Sequence, residues 1–174
     1  EGDCLRFINC RFLGNQDTVY TGVAGTRLYF EDCYIEGTTD FIFGPSTAWF
    51  ENCTIHSKAN SYVTAASTPE YIFNNCKLTA EEGVDKVYLG RPWRPYAYTL
   101  FMNCELGKHI VKAGWDNWRN PKNEKTARYA EYKNTGEGAD ISQRVSWARQ
   151  LSDKDVKMLV KSEFYTFSNT WDLY

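Results

Sequence analysis

Asp17 and Asp40 each stand seven residues after a cysteine, Cys10 and Cys33. If those cysteines mark equivalent points of a repeating coil, the two carboxylates occupy one phase on successive turns. Adjacent parallel strands lie about 4.8 Å apart, so the carboxyl groups would be near neighbours. Each charge then disfavours the other, and the pair holds one ionised and one protonated carboxyl. That is the state required of a nucleophile working beside a general acid. Gln16, directly before Asp17, adds a neutral amide donor suited to a developing oxyanion. Arg91 stands thirteen residues before Cys104, as Asp40 stands thirteen before Cys53, which sets the two at the same phase two coils apart. An arginine there is expected to pair with Asp40 and to keep it ionised and oriented through two hydrogen bonds.

Taken singly, these residues have plainer readings. Asp40 in GTTDFIFGPS (37–46) sits beside Gly and Thr, as turn aspartates do, and Arg91 is a charge next to a proline. The shared phase of Asp17 and Asp40 favours a site. No G-x-S-x-G segment occurs, and His56 and His109 fall outside the constellation, which argues against a Ser-His hydrolase.

Such side chains need a repeating scaffold, and the chain contains one. FINC (7–10), FEDC (30–33), FENC (50–53), FNNC (73–76) and FMNC (101–104) recur at intervals of 20 to 28 residues. Two residues beyond each cysteine comes an apolar side chain: Phe12, Ile35, Ile55, Leu78 or Leu106. This period belongs to a solenoid. β-branched and aromatic residues, Asn and Gly bends and the lack of a sustained 3.6-residue period point to strands, and so to a parallel β-helix. Five of the six cysteines share one phase, so an interior row of buried free thiols is expected, with disulfides between neighbouring rungs as the alternative. Zinc is disfavoured, because no CxxC pair exists and neither histidine accompanies a cysteine cluster.

After Cys104 the pattern changes. Residues 108–123 read as a long loop, ARYAEYKN as a strand and NTGEGAD as a flexible segment. Ser152, followed by Asp153, Asp155 and VKMLV, reads as the N-cap of a short helix that packs along the solenoid or covers its end.

At 174 residues the chain suits one domain. A formal charge of −2, with 24% charged residues and no dense Lys/Arg block, leaves no footprint for nucleic acid. No apolar run approaches the roughly 20 residues that span a bilayer, so no membrane partner is expected. Aromatics at 16%, with 6 Trp and 12 Tyr, suit both strand cores and surfaces that stack on sugar rings. The opening EGDCLRFINC starts within a strand-like pattern, so upstream coils are expected. An exposed N-terminal coil would favour self-association.

GNQDTVY (14–20), GTTDFIFG (37–44) and YLGRPWRPY (88–96) closely resemble the signature segments of pectin methylesterases, or pectinesterases, the carbohydrate esterases that demethylate pectin. Further resemblance runs through NCTIHSK, NCKLTA, GWDNW and AEYKNTGEGA, and so covers nearly the whole chain. It implies an all-β, right-handed parallel β-helix, with residues 1–174 the C-terminal portion of one catalytic domain that lacks its N-terminal coils. It implies hydrolysis of galacturonate methyl esters, with methyl-esterified homogalacturonan as partner, no metal and no cofactor, in a protein secreted to the extracellular space or periplasm. Carried across, Asp40 is the nucleophile, Asp17 the general acid and then base, Gln16 an oxyanion donor and Arg91 the group that holds Asp40. Trp93 would stack on a sugar ring, with Tyr20, Phe43 and Trp115 as further cleft-lining aromatics; core packing is the alternative for each.

The family also draws a second oxyanion glutamine from a coil upstream of the QDT segment, a position that falls before Glu1. Loss of one such donor costs about 100- to 1,000-fold in rate. Two other functions compete. A glycosidase or lyase on the same scaffold would also use paired carboxylates, about 5 Å apart in a retaining glycosidase, but the chain has no second acidic cluster for calcium and no GHG segment. A non-catalytic pectin-binding or truncated, inactive domain would bind oligogalacturonide and release nothing.

Overall fold

A computed structural model describes residues 2–161, so the expected domain span of 1–174 runs past them at both ends. The chain winds as coils of three short strands. The first holds β1 (Leu5–Ile8), β2 (Arg11–Leu13) and β3 (Val19–Tyr20), and the second β4 (Arg27–Glu31), β5 (Tyr34–Gly37) and β6 (Ile42–Gly44). The third holds β7 (Thr47–Glu51), β8 (Thr54–Ser57) and β9 (Tyr62–Ala66), and the fourth β10 (Glu70–Asn74), β11 (Lys77–Ala80) and β12 (Tyr88–Pro92). β13 (Tyr98–Met102) and β14 (Glu105–Leu106) continue the winding, followed by β15 (Arg128–Tyr132), β16 (Arg149–Gln150) and a helix, α1 (Asp153–Lys161). Like strands of successive coils stack into three sheets of seven, five and four strands, and the pairings between them are parallel. This is the expected all-β parallel β-helix with a short C-terminal helix.

The repeat unit explains the stacking. Phe7, Phe30, Phe50, Phe73 and Phe101 fall in register, and their rings stack at 5.0, 4.7, 4.3 and 4.4 Å. Each such pair contributes about 0.5–1.5 kcal/mol beyond the burial of its area. The next corner is made by Asn9, Asp32, Asn52, Asn75 and Asn103, with φ of 52, 52, 54, 54 and 56°. Asn and Asp enter this left-handed region more readily than other side chains, which is why the bend carries them. Cys33, Cys53, Cys76 and Cys104 follow, buried, each thiol directed at the carbonyl of the phenylalanine one coil back, at 3.4, 3.6, 3.4 and 3.4 Å. All six cysteines are free, with Cys4 and Cys10 half-buried. Burial pushes the Cys33 thiol up to about 11, which leaves it protonated and inert.

Of the expectations beyond Cys104, the long loop over 108–123 is present and the flexible NTGEGAD needs correction. The loop over 108–123 is irregular but bound to the wall, with backbone bridges joining Val87 to Ile110 and Gly90 to Trp115. NTGEGAD is packed as well. Leu106 N–H donates to the Thr135 carbonyl at 2.8 Å, and a Cβ on Gly136, which has φ of 89°, would strike the Leu106 carbonyl. Its turn residues make a tight corner within the stack, not a mobile link. Opposite Phe101, where the ladder would continue, stands Glu131. That carboxylate is 1% exposed, is paired with Arg144 Nε at 2.8 Å and accepts from Trp115 Nε1 at 3.2 Å. A buried charge is retained only with such partners.

The predicted helix cap is present. Ser152 N–H donates to Asp155 Oδ2 at 2.8 Å, and Asp155 N–H donates back to Ser152 Oγ at 3.3 Å. Val156 and Leu159 pack against the cluster of Tyr29, Trp49, Ile72 and Leu100, so the helix runs along the flank of the seven-stranded sheet.

Candidate active site

The four-stranded sheet, ordered β3-β6-β9-β12, carries the site. Val19 pairs with Ile42, and Tyr20 with Phe43. Two residues upstream, Asp17 N–H donates to the Thr39 carbonyl at 3.1 Å and Asp40 N–H to the Tyr62 carbonyl at 2.9 Å. The two aspartates therefore stand on adjacent rungs, as their spacing from the cysteines predicts. Both are left-handed, with φ of 57° at Asp17 and 49° at Asp40. Phe41 and Ile42 are wholly buried, and their inward pull anchors the segment that holds Asp40. Thr18 Oγ1 donates to the Glu36 carbonyl at 2.9 Å and ties the first coil to the second. Gly37 is required here, because a Cβ would run into Phe41 and the Asn15 carbonyl.

Asp40 is 6% exposed. Arg91 grips it with both prongs, Nε to Oδ1 at 3.0 Å and Nη2 to Oδ2 at 2.7 Å. Charge-assisted bonds of this geometry are among the strongest a side chain makes. Burial opposes the Arg91 charge, but the bonds and charge of Asp40 more than offset it and raise the arginine's pKa above its ordinary value.

Arg91 pairs with Asp40 from two coils away as expected, but the two do not share a phase. Arg91 is in register with Ala65, and Ala65 with Phe43, three positions past the phase of Asp40. Phe43 stands seven residues before Phe50, whereas Arg91 stands ten before Phe101. A longer turn after Trp93 absorbs the difference, and counting back from the cysteine cannot see it. The arginine reaches Asp40 because its long side chain swings back across Tyr62, with Cζ 3.9 Å from that ring's centroid.

Asp17 is more open to solvent. Partial burial, and then the neighbouring charge of Asp40, raise its pKa above the ordinary 3.8. Gln16 is exposed beside it. Tyr20 and Phe43 are in contact at 4.9 Å between centroids, and Phe43 meets the edge of Trp93 at 5.8 Å. The three form a continuous aromatic wall next to the carboxylates, with Tyr20 53% exposed.

Trp115 does not belong to that wall. It is 1% exposed and stacks on Tyr129 at 4.2 Å inside the solenoid, because its bridge to Gly90 turns the indole inward. The surface role expected of it is replaced by a core role. Sequence reasoning missed two residues instead. Trp118 lies 3.7 Å from Arg91 Cζ, on the guanidinium, and Tyr62 covers it as well. GWDNW contained the first, but nothing in its spacing told one tryptophan from the other. Tyr62 carried no signal in SYVTAAS.

The site thus combines a carboxylate fixed by an arginine, a second carboxyl with raised proton affinity, an amide donor and an aromatic wall. Such a set can attack a carbonyl and protonate a leaving group without a metal or a histidine.

A family model described as Pectinesterase matches residues 1–168. Pectinesterase 31 of Arabidopsis thaliana is 40% identical over 168 residues, a match that covers 93% of this chain and 52% of the relative. The pectin methylesterase from carrot superposes with a TM-score of 0.88 at 28% identity, covering 98% of this chain and 59% of that structure. A pectin methylesterase solved in complex with hexasaccharide VII is 31% identical, with a TM-score of 0.76 over 93% of this chain and 57% of its own. The chain spans about half the length of the curated relatives it matches, 52% in the case of Pectinesterase 31.

Proposed function

The chain belongs to the pectinesterase family, and from that premise we propose that the whole protein hydrolyses galacturonate methyl esters in pectin, releasing methanol and leaving pectate. One observation carries the proposal: the two-pronged hold of Arg91 on Asp40, one rung from a carboxyl with raised proton affinity.

Asp40 attacks the ester carbonyl carbon, and the electrons of the C=O bond move onto oxygen, where the Gln16 amide donates to the resulting charge. Collapse of that adduct breaks the bond to the methoxy oxygen. Asp17 supplies the proton, so methanol leaves and Asp40 remains joined to the sugar's acyl carbon. Asp17, now ionised, takes a proton from water as its oxygen attacks that carbon. The bond to Asp40 breaks, and the galacturonate carboxyl and both aspartates are restored. Tyr20, Phe43 and Trp93 offer apolar ring surface to the sugar faces. The complex of a related methylesterase with a hexasaccharide supports a sugar polymer as ligand.

Residues 1–174 form the C-terminal portion of that single catalytic domain in this proposal, and the protein acts outside the cell membrane, where pectin lies. Among the described residues no helix is long and apolar enough to cross a membrane.

Methanol release from highly methylated pectin is the test. Asp40→Asn is expected to lower kcat by roughly 1,000-fold or more while circular dichroism shows the fold retained. Near-normal turnover by that variant would overturn the mechanism.

A further inference from the structure

A guanidinium has an edge of N–H donors and two flat faces. In Arg91 the edge is spent on Asp40 and aromatic rings cover the cation, Tyr62 at 3.9 Å and Trp118 at 3.7 Å from Cζ to the centroid. Only 20% of the side chain meets solvent. Aromatic faces attract the cation and exclude the water that would otherwise compete for its donors.

Trp118 reaches that position through a backbone few tryptophans adopt. Its φ is 58°, and Arg119 follows at 54°, two successive left-handed residues without a glycine. For a bulky side chain this is an outlier, and such strain persists only where the surroundings over-determine it. Here they do. Trp118 N–H donates to Asp116 Oδ1 at 2.7 Å, and Asp116 N–H donates to the Gly90 carbonyl at 3.1 Å. Trp115 is sunk in the core with its indole on Glu131, and Asn117 Nδ2 donates to Glu124 at 2.7 Å. In GWDNW, Trp115 is therefore the anchor and Asp116 the latch, and Trp118 is the plate they press onto the arginine.

We propose that Trp118, with Tyr62, is a positioning residue: it holds the Arg91 guanidinium in the plane from which both prongs meet Asp40, and so fixes the direction in which that carboxylate attacks. The role rests on the esterase reading above. A tryptophan that only stacked on sugar would act on substrate affinity, whereas this one acts on turnover.

The test is made in the full-length protein. Trp118→Leu is expected to lower kcat by about tenfold or more with KM near the wild-type value, and Trp118→Phe to restore most of the loss. Trp118→Gly should lose as much turnover yet melt no lower than Trp118→Leu, since glycine accepts positive φ without strain. A second readout needs no activity. The Arg91 Nε–H resonance, shifted upfield by the aromatic rings, should move downfield in Trp118→Leu. A rise in KM alone, or an Arg91 resonance that does not move, would overturn the positioning role. Absence of methanol release from the wild type, with the Arg91 resonance still responding to Trp118→Leu, would sink the esterase reading and leave the clamp on Arg91 standing.

Discussion

Two corners of the coil turn through left-handed residues and use them for opposite ends. At the first, Asn9, Asp32, Asn52, Asn75 and Asn103 form a seam, and the side chains of the last four bond between neighbouring coils. Asn52 donates to Asp32, Asn75 to Glu51 at 2.9 Å and Asn103 to Asn74 at 2.9 Å. At the second, Asp17 and Asp40 share a similar backbone conformation but set like charges on adjacent rungs. Relief comes to Asp40 alone, from an arginine two coils away. The backbone device is common to both corners. The side chains decide whether it makes a structural seam or a row of like charges, and the row that conflicts with its own electrostatics is the one proposed to do chemistry.

The comparison is broken most severely at the stack behind the seam. Phe50 lies between Phe30 at 4.7 Å and Phe73 at 4.3 Å, wholly buried. Phe50→Ala is expected to cost about 3–5 kcal/mol in denaturant unfolding, and a loss below about 1 kcal/mol would mean the ladder does not hold the coils together.

A smaller effect separates backbone from side chain at the seam itself. Asn52→Ala places a residue with no local hydrogen bond at φ of 54° and should cost about 1–2 kcal/mol. Asn52→Gly should recover part of that loss. Equal stability of all three proteins would show that the corner does not depend on left-handed tolerance.

The smallest effect sharpens the electrostatic side. Partial burial and the charge of Asp40 raise the Asp17 pKa, so the folded state favours the protonated form more than the unfolded chain does. That contribution to stability is complete below the ordinary value of 3.8 and is lost as pH rises through the raised folded value. Asp17→Asn cannot ionise and is therefore expected to melt above the wild type at neutral pH, with the gap closing in acid. A gap of the same size at both pH values would contradict the like-charge account.

Much of this was legible because it repeats. Phe-x-Asn-Cys fixes a bend, a ring stack and a thiol row by local rules that apply alike to every coil, and Ser152 with Asp155 is a cap readable from four residues. The adjacency of Asp17 and Asp40 followed because their two coils place them equally far from equivalent cysteines. Arg91 was paired correctly for a partly wrong reason, since a long side chain forgives a register error of three positions.

Residue types and repeat spacing by themselves determined the coil, its interior and the carboxylate row, because parallel stacking forces equivalent residues into line wherever coils are equal in length. Which tryptophan of GWDNW enters the core was decided only by the tertiary structure. That segment lies outside the repeat, so no phase applies to it. The bridge from Gly90 to Trp115 turns one indole inward, and the bond from Trp118 N–H to Asp116 carries the other onto Arg91. A backbone bridge to the neighbouring strand and a side-chain bond within the loop set those directions, and the spacing of letters along one coil holds no record of them.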